Sequence, residues 1–292
     1  MKSNVRVCAV SVDSQPQDAE GNRKKIIQWT ERAANQGSEL VVFPELSLCG
    51  FVPNHPLGDH AQWLREALKA ARAMAEPVPG PSTDLLVSVA QQFGLYCAAG
   101  LLEDAGNVLY NSYILVGPNG LLGRWRKMHI PMFEMPFYVG GDGPTVVDTP
   151  LGRIGSNICF DALMPESTRL LAVQNAEIVL FPFAADPASG TPADWAAWAS
   201  PPVRARCQEN GVFGVCANYV GRVCCAGVDQ TFPGGALTFG PRGEVISQWL
   251  DGCGQAGMLT ANLHAHDLAA ARCEPEYLFR FRRPELYRPL SK

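Results

Sequence analysis

The sequence predicts an α/β fold with helices on the outer faces of its sheets, and three observations predict it. Segments of strand character alternate with segments of helical spacing. The second half of the chain repeats the logic of the first. Hydrophobic residues make up 47% of the chain against 18% charged, enough for a large core and unlike the composition of a disordered chain.

In order, residues 5–12 alternate like a strand, and 18–36 carry helical spacing at Ile26, Ile27, Thr30, Ala33 and Ala34 before stopping at Gly37. Residues 40–43 form a short apolar strand that ends at Pro44. Residues 63–75 and 82–93 read as helices, the second capped by Ser82. Strands follow at 96–102, 109–116 and 121–126, the last two joined by the turn Gly-Pro-Asn-Gly. Residues 129–144 hold prolines, a glycine pair and no periodicity, so they read as a loop. Strands at 145–148, 152–158 and 178–181 flank a helix at 165–175, which opens on Pro165 and Glu166, both suited to a first turn. A helix at 194–210 is expected to break or kink at Pro201-Pro202. Strands at 212–217, 236–239, 244–249 and 257–263 complete the pattern. No linker or low-complexity tract interrupts it, so residues 1–292 read as a single domain, with 272–292, rich in Arg, Pro and aromatic residues, as a C-terminal docking tail.

Several function classes fall away. A net charge of −4 leaves no electrostatic footprint for nucleic acid or anionic lipid. The N-terminal apolar stretch is interrupted by Arg6 and stops at Asp13, unlike a secretory signal. No run reaches the roughly 18 apolar residues of a membrane-spanning helix, so a cytoplasmic protein is expected. The ten cysteines are scattered through apolar stretches and read as reduced thiols. None forms a Cys-x-x-Cys pair, Cys224 and Cys225 are adjacent, and no His-x-x-x-His occurs. No metal site or cofactor is expected.

Three segments each place one reactive residue just after a strand, where catalytic groups of α/β proteins collect. In Val41-Val42-Phe43-Pro44-Glu45-Leu46 a carboxylate follows an apolar strand. It either emerges at the surface or is held in an apolar pocket, where its pKa would rise and it could exchange protons near neutral pH. In Arg124-Trp125-Arg126-Lys127-Met128-His129 a lysine is either solvated or aimed inward as a fixed charge for an oxyanion. In Gly155-Ser156-Asn157-Ile158-Cys159-Phe160-Asp161 a strand runs into a cysteine and a sharp turn before a helix. That cysteine is either one more packing thiol or a nucleophile on an elbow. A neighbouring lysine would favour its thiolate and a nearby carboxylate would take its proton. Asp161 is expected to fix the turn, Arg204 and Glu209 to brace the pocket through ion pairs, and His129 to be a hydrogen-bonded packing residue.

Together, Phe-Pro-Glu45, Arg-Lys127-Met-His-Ile-Pro and Cys159-Phe-Asp-x-x-x-Pro-Glu resemble the motifs of the nitrilase (carbon–nitrogen hydrolase) superfamily in their order and approximate spacing. Glu134, Arg204-x-Arg-x-Gln-Glu209-Asn210, Ala217-Asn218, the late Gly-Pro-Arg-Gly243 turn and Arg282-Arg283-Pro284-Glu285-Leu286-Tyr287 extend the resemblance over nearly the whole chain. It implies a four-layer αββα sandwich that pairs into homodimers or larger assemblies and acts on a small molecule. It also implies the roles. Cys159 attacks, and Glu45 shuttles protons. Lys127 and the backbone N–H of Phe160 hold the oxyanion. Glu134 orients the substrate or Lys127.

Phe160-Asp161 resembles the amidase and carbamoylase side of the superfamily. Nitrilases proper usually carry Trp-Glu there, which disfavours nitrile hydrolysis. Carbamoylases of amino acids tend to place arginines just after this turn, where this chain has Ala162, Leu163 and Met164. A small carboxamide or an N-carbamoyl amine is therefore expected. Phe133, Tyr138 and Trp195, with Met135 and Phe137, are candidates to line a partly apolar pocket. The rival readings are a cysteine–histidine acyl hydrolase, a transferase sharing the thioester step and a non-catalytic dimeric scaffold. The five histidines offer no partner motif, and a scaffold would not need Glu45, Lys127 and Cys159.

Overall fold

A computed structural model of the protein describes residues 1–54, 58–187, 190–252 and 254–291. The first half contains β1 (Asn4–Ser11), α1 (Ala19–Asn35), β2 (Leu40–Val42), α2 (His60–Met74), α3 (Pro81–Phe93), β3 (Tyr96–Asp104), β4 (Leu109–Gly117) and β5 (Gly120–Arg126). The second half contains β6 (Val147–Thr149), β7 (Gly152–Ser156), α4 (Pro165–Val173), β8 (Ile178–Phe183), α5 (Pro192–Asn210), β9 (Phe213–Asn218), β10 (Val220–Cys225), β11 (Val228–Pro233), β12 (Ala236–Phe239), β13 (Val245–Trp249), β14 (Gly257–His264) and α6 (Ala265–Cys273). The α2 helix starts earlier than its apolar spacing suggested, because the Asp59 carboxylate accepts from the N–H groups of Ala61 and Gln62.

Two six-stranded sheets form, in the orders β14-β1-β2-β3-β4-β5 and β13-β12-β9-β8-β7-β6. In each, three neighbouring strands run parallel, β1-β2-β3 in one and β7-β8-β9 in the other, and the flanking strands are antiparallel. The alternation of β1 now has a physical destination. Val5, Val7 and Ala9 enter a core shared with the second sheet, whereas Cys8 and Val10 enter one shared with Ile26 of α1 and Leu86 and Val89 of α3. On the far side, α4 and α5 cover the second sheet. Gly155 leaves room for Leu171 of α4, and Gly214 for Cys207 of α5, in each case where an added Cβ would come within 3 Å of the helix side chain. The layers are thus α, β, β and α, as the resemblance implied.

The tertiary structure departs from the sequence reading in four places. Residues 220–233 form the hairpin β10-β11, and α6 follows β14 directly. The strand expected over 152–158 ends at Ser156, before the chain turns. Pro201 and Pro202 neither end nor divide α5, which continues through both. The carbonyls that lose an N–H partner there belong to Ala197 and Trp198, both on the exposed side, where water can take over.

The tail returns to the fold at the C-terminal end of α5. Arg272 donates to the Gly211 and Ala176 carbonyls, and the Tyr277 hydroxyl donates to the Asn210 carbonyl. Beyond this anchor Leu278, Phe281, Leu286 and Leu290 remain exposed.

Candidate active site

Glu45 stands at a corner beyond the C-terminal end of β2. The Phe43 N–H donates to Ala98 O, and the Tyr113 hydroxyl donates to Phe43 O. Leu46 then turns the chain with φ +52°, a region that L residues seldom adopt. The corner lies directly against Gly100 of β3, where a Cβ would come within 2.3 Å of the Leu46 nitrogen. Only glycine allows that approach.

Lys127 follows β5 and is tied by its own N–H to Asn111 O of β4 at 2.8 Å. Its Nζ donates to Glu45 Oε1 at 2.8 Å and to Glu134 Oε2 at 2.6 Å. Both Lys127 and Glu45 are 0% exposed. Glu45 Oε1 also accepts from Asn111 Nδ2 at 2.6 Å, and Oε2 accepts from the Ala184 N–H at 2.9 Å. Glu134 is delivered by a turn in which its N–H donates to Pro131 O, and its Oε2 accepts from the Tyr138 hydroxyl at 2.8 Å.

Cys159 follows β7 through Asn157, whose N–H donates to Leu180 O of the neighbouring strand. Its φ is +48°, so the cysteine sits in a strained corner before a 3-10 turn over Cys159–Leu163. Asp161 secures that corner and more. Its carboxylate accepts from the N–H groups of Ile158, Met128 and His129 and pairs with His129 Nδ1 at 2.8 Å. One buried carboxylate therefore joins the cysteine corner to the chain just past Lys127.

Burial and neighbouring charges together set the protonation states. Burial acts to lower the pKa of Lys127, but the carboxylates of Glu134 and Glu45 outweigh it and hold the ammonium well above its usual range. Burial raises the pKa of Glu134, Lys127 opposes, and Glu45 adds to the rise. Cys159 is pushed well above the ordinary thiol range by burial first and by Glu45 second, against the pull of Lys127. Lys127 does favour the thiolate, as expected, but it is outweighed. Burial first, and then the two carboxylates that accompany Lys127, hold the thiol neutral at rest.

The remaining expectations sort cleanly. Tyr138 and Phe137 are buried beside Glu134 and Trp63, while Phe133 is 48% exposed. Trp195 does not line an opening. It is 0% exposed in the core, edge-on to Phe183 and against Gly235. Phe160 lies in the first turn of its 3-10 helix, where N–H groups have no intrahelical acceptor. His129 is hydrogen-bonded as expected. Glu209 pairs with Arg206, not with Arg204, whose Nε donates to the Gly243 carbonyl. Asn111, Gly100 and Ala184 belong to the site and were missed. A buried asparagine within an apolar strand and a glycine within a strand were the available signals for the first two. Ala184 acts through its backbone and carried none. Among the described residues no group of three or more His, Cys, Asp or Glu side chains could hold a metal ion, and no helix is long and apolar enough to cross a membrane.

A family model described as carbon-nitrogen hydrolase matches residues 5–272. A protein named Nitrilase from Pyrococcus abyssi is 33% identical over 244 residues, covering 83% of this chain and 84% of that one. An (R)-stereoselective amidase from a Pseudomonas species is 31% identical over 210 residues, covering 72% of this chain and 68% of its own. Among solved structures, a carbon-nitrogen hydrolase from Helicobacter pylori superposes with a TM-score of 0.81 over 99% of both chains at 22% identity, a likeness of fold.

Proposed function

Because the chain belongs to the carbon–nitrogen hydrolase family, we propose that it cleaves a small carboxamide or N-carbamoyl amine through a thioester on Cys159. The observation that carries this reading is the buried set of Glu45, Lys127 and Glu134 acting electrostatically on Cys159. A carboxylate offers about four acceptor positions and an ammonium three N–H donors. Among the described residues Glu45 has three donors on it and Lys127 two acceptors. One position on each is left for the reaction.

The steps follow from that arrangement. Glu45 takes the thiol proton as sulfur attacks the carbonyl carbon, so no free thiolate need accumulate. The third N–H of Lys127 and the Phe160 N–H stabilise the tetrahedral oxyanion. Glu45 returns the proton to the leaving nitrogen, and ammonia or an amine departs. Water, deprotonated by Glu45, then hydrolyses the thioester and restores the thiol. Glu134 keeps Lys127 charged and aimed, and Tyr138 holds Glu134. No histidine is needed.

Nitrile hydrolysis is the second reading, and the relative named Nitrilase favours it. Phe160-Asp161 after the nucleophile supports the amide side. We further propose a cytoplasmic homodimer or larger assembly, in keeping with the exposed Leu170, Val173 and Trp198 on the α4 and α5 layer and with the apolar tail. Light scattering on the purified protein tests the assembly, and a monomer at micromolar concentration would refute it. The functional test is ammonia release from a panel of amides, N-carbamoyl amines and nitriles, with Cys159→Ala alongside. Release from amides that vanishes in the variant supports the reading. Release that persists in the variant ends it, and release from nitriles alone favours the second reading.

A further inference from the structure

Asn111 is 1% exposed, inside β4, and half of its amide is accounted for. Its backbone carbonyl accepts from Lys127 N, and its Nδ2 donates to Glu45 Oε1 at 2.6 Å. The orientation of the amide follows from chemistry: Glu45 accepts from Lys127 and from the Ala184 N–H, so the atom facing it must be the donor. Oδ1 is then left buried with no hydrogen-bond partner among the described residues. A buried acceptor without a partner is rare and unfavourable, and it calls for a reason. The Asn111 side chain also adjoins the Tyr138 hydroxyl, which anchors Glu134. Oδ1 and Nδ2 share one carbon, so the orphan acceptor lies close to the carboxylate that would hand its proton to the leaving nitrogen.

We propose that Asn111 is a specificity-determining residue that recognises the nitrogen of the scissile bond, accepting a substrate N–H on Oδ1 while its Nδ2 holds Glu45. The inference rests on the amide-cleaving reading above. It adds to it a selection for leaving groups that carry N–H. Accepting one N–H turns the nitrogen so that its lone pair faces Glu45 as the tetrahedral intermediate collapses. The C–N bond then breaks as the Glu45 proton moves to nitrogen. An ester of the same acid places oxygen there, with no hydrogen to donate, and leaves Oδ1 unpaired at every step.

The test compares two substrates in one protein preparation, so that the fraction folded cancels. Propanamide, butanamide and benzamide are screened, and the best is paired with the methyl ester of the same acid. Asn111→Ala should lower the ratio of kcat/KM for amide over ester by about three- to tenfold, the value of one neutral hydrogen bond. Asn111→Asp keeps an acceptor oxygen and should retain more of the ratio than Asn111→Ala, even where both rates fall. Equal loss on amide and ester in Asn111→Ala, including loss of both to background, overturns the inference and leaves Asn111 a support for Glu45 alone. Absence of amide turnover in the unaltered protein, with ester or nitrile turnover present, overturns the amide reading and this inference with it.

Discussion

At the scale of single residues, Lys127 carries the electrostatic balance of the site. It is buried between Glu45 and Glu134 and bonded to both. Removing it would leave two buried carboxylates facing each other without a counter-charge. Lys127→Met should therefore reduce turnover by about two to three orders of magnitude as an oxyanion donor. It should also lower stability by about 3–5 kcal/mol, the usual penalty for breaking one side of a buried pair. Initial rates and denaturant midpoints on the same variant check both numbers. A variant that loses activity at undiminished stability would show the carboxylates have protonated at little cost. Glu45→Gln removes the proposed proton acceptor without changing shape, so it should abolish turnover while alkylation of Cys159 by iodoacetamide, located by peptide mass mapping against the exposed Cys224 and Cys273, persists.

At the scale of elements, the site depends on two tight joints. The Glu45 corner rests on Gly100 of β3 at a distance no Cβ allows. Gly100→Ala must displace the corner or the strand, and turnover should fall at least tenfold with secondary structure preserved by circular dichroism; unchanged kinetics would refute the joint's importance. The second joint is Asp161, which takes three backbone N–H groups and the His129 ring. Asp161→Ala strands those donors and should destabilise the protein by about 2–4 kcal/mol, read by chemical denaturation. Elements also show where a sequence falls silent. The β10-β11 hairpin turns on Ala226 and Gly227, both at positive φ. That geometry normally advertises itself as Asn-Gly or Asp-Gly, and alanine gives no such signal. The prolines of α5 suggested a break or a kink, and no break occurs. Their lost hydrogen bonds fall on a wet face, where the penalty is smallest, so the helix survives what its local sequence forbids.

At the scale of the whole molecule, buried thiols set the alkaline limit. Burial pushes Cys8, Cys49 and Cys97 up to about 12, and it raises Cys159, Cys207 and Cys216 as well. In the unfolded chain these thiols ionise from about pH 9 upward. Between that pH and the folded values the native state binds more protons, so stability falls as pH rises. Each fully buried thiol contributes a loss of roughly 1 kcal/mol per pH unit in that window. Denaturant midpoints should be level from pH 7 to 8 and drop steeply between pH 9 and 11. A flat profile would mean that the thiols ionise in place.

Most of the fold and the principal candidate site residues were legible from the chain alone. Strand and helix spacing depends on which side chains meet water, a local property, and it marked nearly every buried element. Glu45, Lys127 and Cys159 were legible because reactive residue types after apolar strands are unusual and because their order resembles one superfamily, and Glu134 came from that resemblance alone. Only the tertiary structure decided what those residues do to one another. Glu45 and Lys127 lie 82 positions apart in sequence and 2.8 Å apart in space. Coulomb interactions follow the second distance. The sign of the shift at Cys159, the orphan oxygen of Asn111 and the need for glycine at position 100 all arise from which strands become neighbours, and no stretch of sequence short enough to read locally contains that information.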